Sequence, residues 1–256
     1  MRVTILGCGP SGGVPLIGND WGACDPSNPR NRRRRASILV QEGESTLLVD
    51  TSPDMRAQLL DAGVSRVDAI LFTHAHADHT HGIDDIRSLN RASHEAMPIY
   101  GSAETLAEIR RRFAYIFAPV NPLYAATFYK PALDPHVVSE PFSAAALAVT
   151  PFWQDHGSIR SLGFRFGRFA YSTDLVRLDE AGFAALEGID TWVVDAYRRE
   201  PHPTHTHLRQ TLDWIARLRP RRAFLTHMDG ELDYEALRRE LPNGVEPAYD
   251  GLQIEL

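Results

Sequence analysis

Thr73-His74-Ala75-His76-Ala77-Asp78-His79 packs three imidazoles and one carboxylate into six consecutive positions, directly after the apolar run Ala69-Ile70-Leu71-Phe72. Imidazole nitrogens and carboxylate oxygens are ligands for divalent transition metals, and a turn at a strand end points neighbouring side chains inward together. One ion cannot take all four donors and stay open to a substrate. His74 and His76 can grip one ion while Asp78 and His79 point to a second. The alternative is a solvated polar turn, and three histidines at fixed spacing in a chain holding only 11 argue against it.

A pair of ions needs further donors, and other strand ends are where a fold gathers them. His156 follows a strand read as ending near Phe152, Asp174 in Tyr171-Ser172-Thr173-Asp174 closes the next hairpin, and His227 caps the apolar stretch 223–226. Each alone reads equally as a loop residue or helix cap. Further strands are expected at 3–6, 37–40, 47–50, 163–166 and 190–195, with a last one after Tyr249-Asp250-Gly251. Helices are expected from Ser52 as cap with Pro53 at the first position, after Gly82 through Ile83, Ile86 and Leu89, at 103–113, along Leu208, Leu212, Ile215 and Leu218, and at 234–239. Residues 117–141, rich in prolines and aromatics without a period, read as an irregular insertion covering a surface or a site. Strands in two blocks, each followed by helices, suit two packed sheets with helices outside.

The order of a His-x-His-x-Asp-His turn, then a lone His, a lone Asp and a final His, each after an apolar strand, resembles the metallo-β-lactamase superfamily of metal-dependent hydrolases. The resemblance covers nearly the whole chain. It implies an α/β fold, the αββα four-layer sandwich of two mixed β-sheets flanked by helices, with residues 1–256 as a single hydrolase domain. Carried over by position, His74, His76 and His156 look like ligands of a first metal, Asp78, His79 and His227 of a second, and Asp174 like the bridge. Two divalent ions per chain, Mn²⁺ or Zn²⁺, are the implied cofactors.

The opening Gly7-Cys8-Gly9-Pro10-Ser11-Gly12-Gly13-Val14-Pro15, followed by Asp25-Pro26-Ser27-Asn28-Pro29-Arg30-Asn31-Arg32-Arg33, is similar to the phosphoribosyl 1,2-cyclic phosphate phosphodiesterases, and more distantly to tRNA 3′-processing endonucleases. Pro203-Thr204-His205-Thr206 lies where those phosphodiesterases carry an extra active-site histidine, 22 positions before His227. The chain departs from them where they carry a cysteine-rich structural zinc site, since the matching stretch holds only Cys24 and the late position is Gly230.

The case for phosphate also stands on chemistry. His205 precedes a helix whose expected cap is Thr206, so an anionic oxygen there meets an imidazole and the positive end of a helix. Arg33, within the run Arg30, Arg32, Arg33, Arg34 and Arg35, is the candidate guanidinium contact; a solvated loop of ion pairs is the competing reading. The expected reaction is in-line attack on the phosphorus of a small, ribose-linked and cyclic phosphodiester by a hydroxide shared between two ions, with Asp78 or His205 assisting the leaving alkoxide. His81 is expected just behind the ligands, and His94, His136 and His202 on the surface.

Composition narrows the rivals. With 27 Lys+Arg against 33 Asp+Glu the net charge is −6, which disfavours nucleic acid as partner and with it RNA processing. Thioester hydrolysis of the glyoxalase II type is the other alternative, and His205 counts against it. No apolar stretch approaches the ~20 residues that cross a bilayer, so no membrane and a cytoplasmic address are expected. Cys8 and Cys24 are too few for a disulfide framework. A small phosphorylated substrate is the expected partner, and the resemblance adds a homodimer.

Overall fold

A computed structural model describes residues 1–119, 123 and 127–256. The chain opens with β1 (Arg2–Gly7), β2 (Ser37–Glu42) and β3 (Ser45–Val49), an antiparallel set, and continues in parallel through β4 (Ala69–Leu71), β5 (Met97–Gly101) and β6 (Leu133–Val137). A second block holds the antiparallel β7 (Phe142–Ala144), β8 (Leu147–His156), β9 (Ile159–Phe166) and β10 (Phe169–Ser172), then the parallel β11 (Thr191–Asp195), β12 (Arg222–Thr226) and β13 (Val245–Pro247). The last strand, β14 (Gln253–Glu255), returns to pair with β1, so each sheet has seven strands.

Helices cover the outer faces: α1 (Met55–Asp61), α3 (Ile86–Ser93), α4 (Ala103–Arg112) and α5 (Ala114–Phe117) on the first half, α6 (Glu180–Leu186), α7 (Leu208–Leu218) and α8 (Tyr234–Glu240) on the second, while the single-turn α2 (Ala77–Thr80) carries the buried Asp78 and His79. This is the four-layer arrangement the resemblance implies. Strand alternation explains it. Val3, Ile5, Ile38 and Val40 join Phe164, Tyr171 and Val193 in the core between the sheets, while Leu6, Leu39 and Ile70 face Met55, Ile86 and Ile109 in a second core beneath the helices. Strands buried on both faces read as the unbroken apolar runs seen in the sequence. No helix among the described residues is long and apolar enough to cross a membrane.

Two expectations change. The first helix begins at Met55; Ser52 is buried, its hydroxyl accepts from the Asp54 N–H at 3.1 Å, and it precedes the helix rather than capping it. The insertion at 117–141 contains the edge strand β6, although 120–122 and 124–126 of that insertion lie outside the described residues. Asp174 does follow the expected hairpin, β9–β10, after which the chain crosses over through α6 and pairs β11 in parallel. Of the strands that sequence reasoning passed over, β5, β6 and β13 each contain a proline, which weakens the strand signal.

The parallel segments matter most. In both sheets Asp50, His74, Asp174, Asp195 and His227 stand at or just past the carboxyl ends of β3, β4, β10, β11 and β12. Open α/β sheets bind ligands at that edge.

Candidate metal centre

Three of these residues reach the centre by leaving the strand through a left-handed turn: Asp50, Asp174 and His227 have φ of 65°, 55° and 57°. A side-chain-bearing residue rarely adopts that region, and such backbone strain concentrates at functional sites. Asp174 and His227 then meet His79 and Asp78 from the other sheet, while Asp50 meets Thr73 and His79 at the end of its neighbouring strand. His156 is instead the last residue of β8, later than the sequence suggested, and the histidine turn forms the short α2.

The seven side chains converge in two groups that share Asp174. On one side, Asp174 Oδ1 lies 3.8 Å from His74 Nε2 and 3.7 Å from His156 Nε2, and His156 Nε2 lies 3.2 Å from His76 Nδ1. On the other, Asp174 Oδ2 lies 3.1 Å from His79 Nε2 and 3.3 Å from His227 Nε2, with Asp78 Oδ2 3.2 Å and 3.6 Å from the same two nitrogens. The two oxygens of one carboxylate therefore face two donor sets.

On His74, His79 and His156 the nitrogen turned away from the centre is held, whereas His227 Nδ1 is buried without a partner. His74 Nδ1 meets the Thr73 hydroxyl at 3.0 Å, His79 Nδ1 meets Asp50 Oδ2 at 2.7 Å, and His156 Nδ1 meets the Thr204 carbonyl at 2.7 Å. The Thr73 N–H and hydroxyl donate to Asp50 as well, both at 2.8 Å. Such outer partners fix the tautomer and aim the other nitrogen. That other nitrogen is left without a partner: His74 Nε2, His79 Nε2 and His227 Nε2 are buried and make no hydrogen bond. Buried donors normally find partners, so orphaned imidazole nitrogens converging on carboxylates fit divalent cations.

The electrostatics agree. Burial drives His74 well below the ordinary histidine value, leaving it neutral, the form that ligates. His79 is buried too, yet Asp174, Asp78 and Asp50 outweigh that desolvation and raise it well above normal; His227 is likewise lifted against its own burial, to about 9. Asp174 and Asp78 resist the upward push of burial and sit well below the carboxylate range because these imidazoles face them. The cluster attracts positive charge, and metal binding would release the protons His79 and His227 hold.

A family model described as a β-lactamase superfamily domain matches residues 45–228, a span that includes every ligand candidate. The chain belongs to the metallo-β-lactamase superfamily. A solved structure described as a new diphosphatase from the PhnP family superposes with a TM-score of 0.90 at 36% identity, covering 100% of this chain and 97% of that one. Among curated proteins, an octanoyltransferase of Porphyromonas gingivalis is 32% identical over 99% of this chain and 51% of its own length. A ribonuclease Z of a Bradyrhizobium species is 33% identical over 55% of this chain and 46% of its own. The chain spans about half the length of these curated relatives.

The metallo-β-lactamase fold also brings His205 to the centre. Its Nε2 is 3.9 Å from Asp174 Oδ1, its ring stacks on His227 at 4.8 Å, and its Nδ1 lies 3.1 Å from Asp195 Oδ2. Asp195 Oδ2 also accepts the Asp174 N–H at 3.0 Å, so one carboxylate positions both residues. Sequence reasoning missed Asp195, Asp50 and Tyr197, whose ring stacks on His205 at 4.9 Å. The available signal was the one the ligands gave: Asp50 and Asp195 are carboxylates at the ends of apolar strands. His202, expected on the surface, lies 5.1 Å from the His205 ring. His81 is exposed, its ring edge-on to Phe113 at 5.7 Å.

Arg33 and Thr206 are corrected as substrate contacts. Arg33 is 1% exposed and donates to the carbonyls of Asp229, at 2.8 Å, and Leu232, so it ties down the loop after His227. Thr206 is buried, its hydroxyl meets Thr211 at 3.0 Å, its N–H donates to Leu175, and the residue preceding α7 is His207. The rest of the arginine run is also engaged. Arg30 lies between Tyr234 and Tyr249, Arg32 over Trp21, Arg34 on Asp61 and Arg35 on Asp54. The glycine-rich loop packs closely, since a Cβ at Gly7 would sit 2.1 Å from the Arg35 carbonyl, and the neighbouring Cys8 carbonyl accepts the Met228 N–H.

Proposed function

We propose that the chain is a dinuclear metal-dependent phosphodiesterase acting on a small ribose-linked phosphodiester, cyclic in form. The observation that carries this is the division of Asp174 between two donor sets with a histidine outside both, His205, aimed at the same carboxylate oxygen. His74, His76 and His156 would hold one ion and Asp78, His79 and His227 the other, with Asp174 shared. All-nitrogen-and-oxygen ligation suits Zn²⁺ or Mn²⁺. Bound there, divalent ions supply Lewis-acid charge and acidify coordinated water.

The chain's own residues do the rest. Asp195 accepts from His205 Nδ1, which leaves Nε2 free toward the cleft, and 12% exposure of the His205 side chain makes it reachable. An imidazole held in that way binds a phosphoryl oxygen or gives its proton to the departing alkoxide, a role typically worth ~10²- to 10⁴-fold. Asp50, Thr73 and the Thr204 carbonyl hold the ligand rings in register and add no chemistry of their own.

The names of two relatives, a PhnP-family diphosphatase and a ribonuclease Z, both concern phosphorus–oxygen bonds and support this class. The ribonuclease match also keeps RNA processing as a second reading, which steeply salt-dependent tRNA binding would favour. Thioester hydrolysis gains no support from the octanoyltransferase, since half of that protein lies outside the match. Turnover of bis-p-nitrophenyl phosphate with added Mn²⁺ or Zn²⁺, followed by a panel of cyclic phosphates, tests the proposal. Hydrolysis abolished by chelation is expected; no turnover with either ion contradicts it.

A further inference from the structure

Beside His74 and His76 lies a cavity of about 460 Å³ whose other walls are α4 and the β8–β9 hairpin. Of the seven ligand candidates, His74 and His76 line it. Trp153, Arg160, Glu104 and Arg112 line it, and the proposed chemistry uses none of them.

Their charges are arranged in a particular way. Arg112 is held by Glu108 at 2.6 Å and by the Ala75 carbonyl, so it is not free to take an incoming anion. Glu104 places a carboxylate in the first turn of α4, where its own backbone N–H and the Ser102 hydroxyl hold its pKa below normal. A helix start is where a phosphate would settle, and the chain has put its own negative charge there. Arg160 is exposed, helps hold the Glu104 carboxyl below its normal pKa, forms no salt bridge among the described residues, and places its Cζ over the Trp153 ring, 3.9 Å from the centroid. A guanidinium stacked on an indole keeps its outer face open, and planar rings stack on such faces.

We propose that this cavity takes the organic group of the phosphodiester and selects a ring-bearing moiety, a nucleoside, over a bare sugar, with Arg160 on Trp153 as the stacking platform and Glu104 as acceptor for its amino or hydroxyl groups. The assignment rests on the phosphodiesterase reading and narrows its substrate.

Calorimetry on the metal-loaded protein with adenosine 5′-monophosphate and ribose 5-phosphate tests it, with bis-p-nitrophenyl phosphate turnover measured on the same preparation. Adenosine monophosphate should bind at least tenfold tighter than ribose 5-phosphate. Arg160→Ala, at an exposed position, should shrink the adenosine advantage to within about threefold. No adenosine advantage in the parent protein, or one unchanged in Arg160→Ala, overturns the pocket assignment while turnover leaves the phosphodiesterase reading standing. Absence of turnover overturns both.

Discussion

Asp50 Oδ2 lies 2.7 Å from His79 Nδ1, with both side chains fully buried, and the same carboxylate accepts the N–H and hydroxyl of Thr73. One residue at the end of β3 thus sets both the ring of a ligand and the backbone entering the histidine turn. Removing its charge should loosen the second metal first. Asp50→Asn is expected to weaken the tighter-bound state of that ion by ~10- to 100-fold, the usual cost of losing an outer partner. Competition with a chromophoric chelator reads this directly, and unchanged affinities of both ions would refute the role.

His205 stands outside both donor sets, so metal content and turnover should separate. His205→Ala should keep its ions and lose ~10²- to 10⁴-fold in kcat on a phosphodiester. Asp195→Asn should lose less, since the imidazole remains but is no longer held by a charge. Equal kcat in His205→Ala and the parent protein would remove His205 from the chemistry.

Most of the centre was legible in the sequence because its ligands are dense: four donors in one turn, then three more after apolar strands. The fold class followed from the same pattern. The arginine run was not legible. Its fate depends on Tyr234, Tyr249, Trp21, Asp61 and Asp54, partners that only the folded chain brings near. Thr206 misled for a related reason, since a threonine before a helix reads as a cap whether or not its hydroxyl is buried against Thr211. Asp50 and Asp195 gave the same local signal as Asp174, and only the register of the parallel strands separates holders from ligands.

Arg33 carries a structural prediction. Its guanidinium bridges to the Asp229 and Leu232 carbonyls in the loop after His227. Arg33→Met should leave those carbonyls short of a donor and cost about 2–4 kcal/mol, seen in thermal melts as roughly 5–15 °C. A melt within about 1 °C of the parent would show that the loop is held by other means.

Asp250 predicts a pH dependence away from the metals. Burial pushes its carboxyl up to about 7, against the pull of the Arg34 and Cys8 backbone N–H groups. An unfolded carboxyl titrates near ~3.9, so between these values the folded chain binds the extra proton, and its stability falls as pH rises toward 7. Asp250→Asn lacks that titration. The stability of the parent relative to this variant should drop by roughly 2–3 kcal/mol from pH 5 to pH 7 and then level off. Parallel profiles across that range would contradict the shift.

The proposed chemistry depends above all on seven side chains holding a pair of ions. Metal analysis of the purified protein, equilibrated with Zn²⁺ or Mn²⁺ and freed of excess, should return two ions per chain, falling to one or fewer in Asp174→Ala. A parent protein that retains one ion or none, or an Asp174→Ala variant that still holds two, would contradict it.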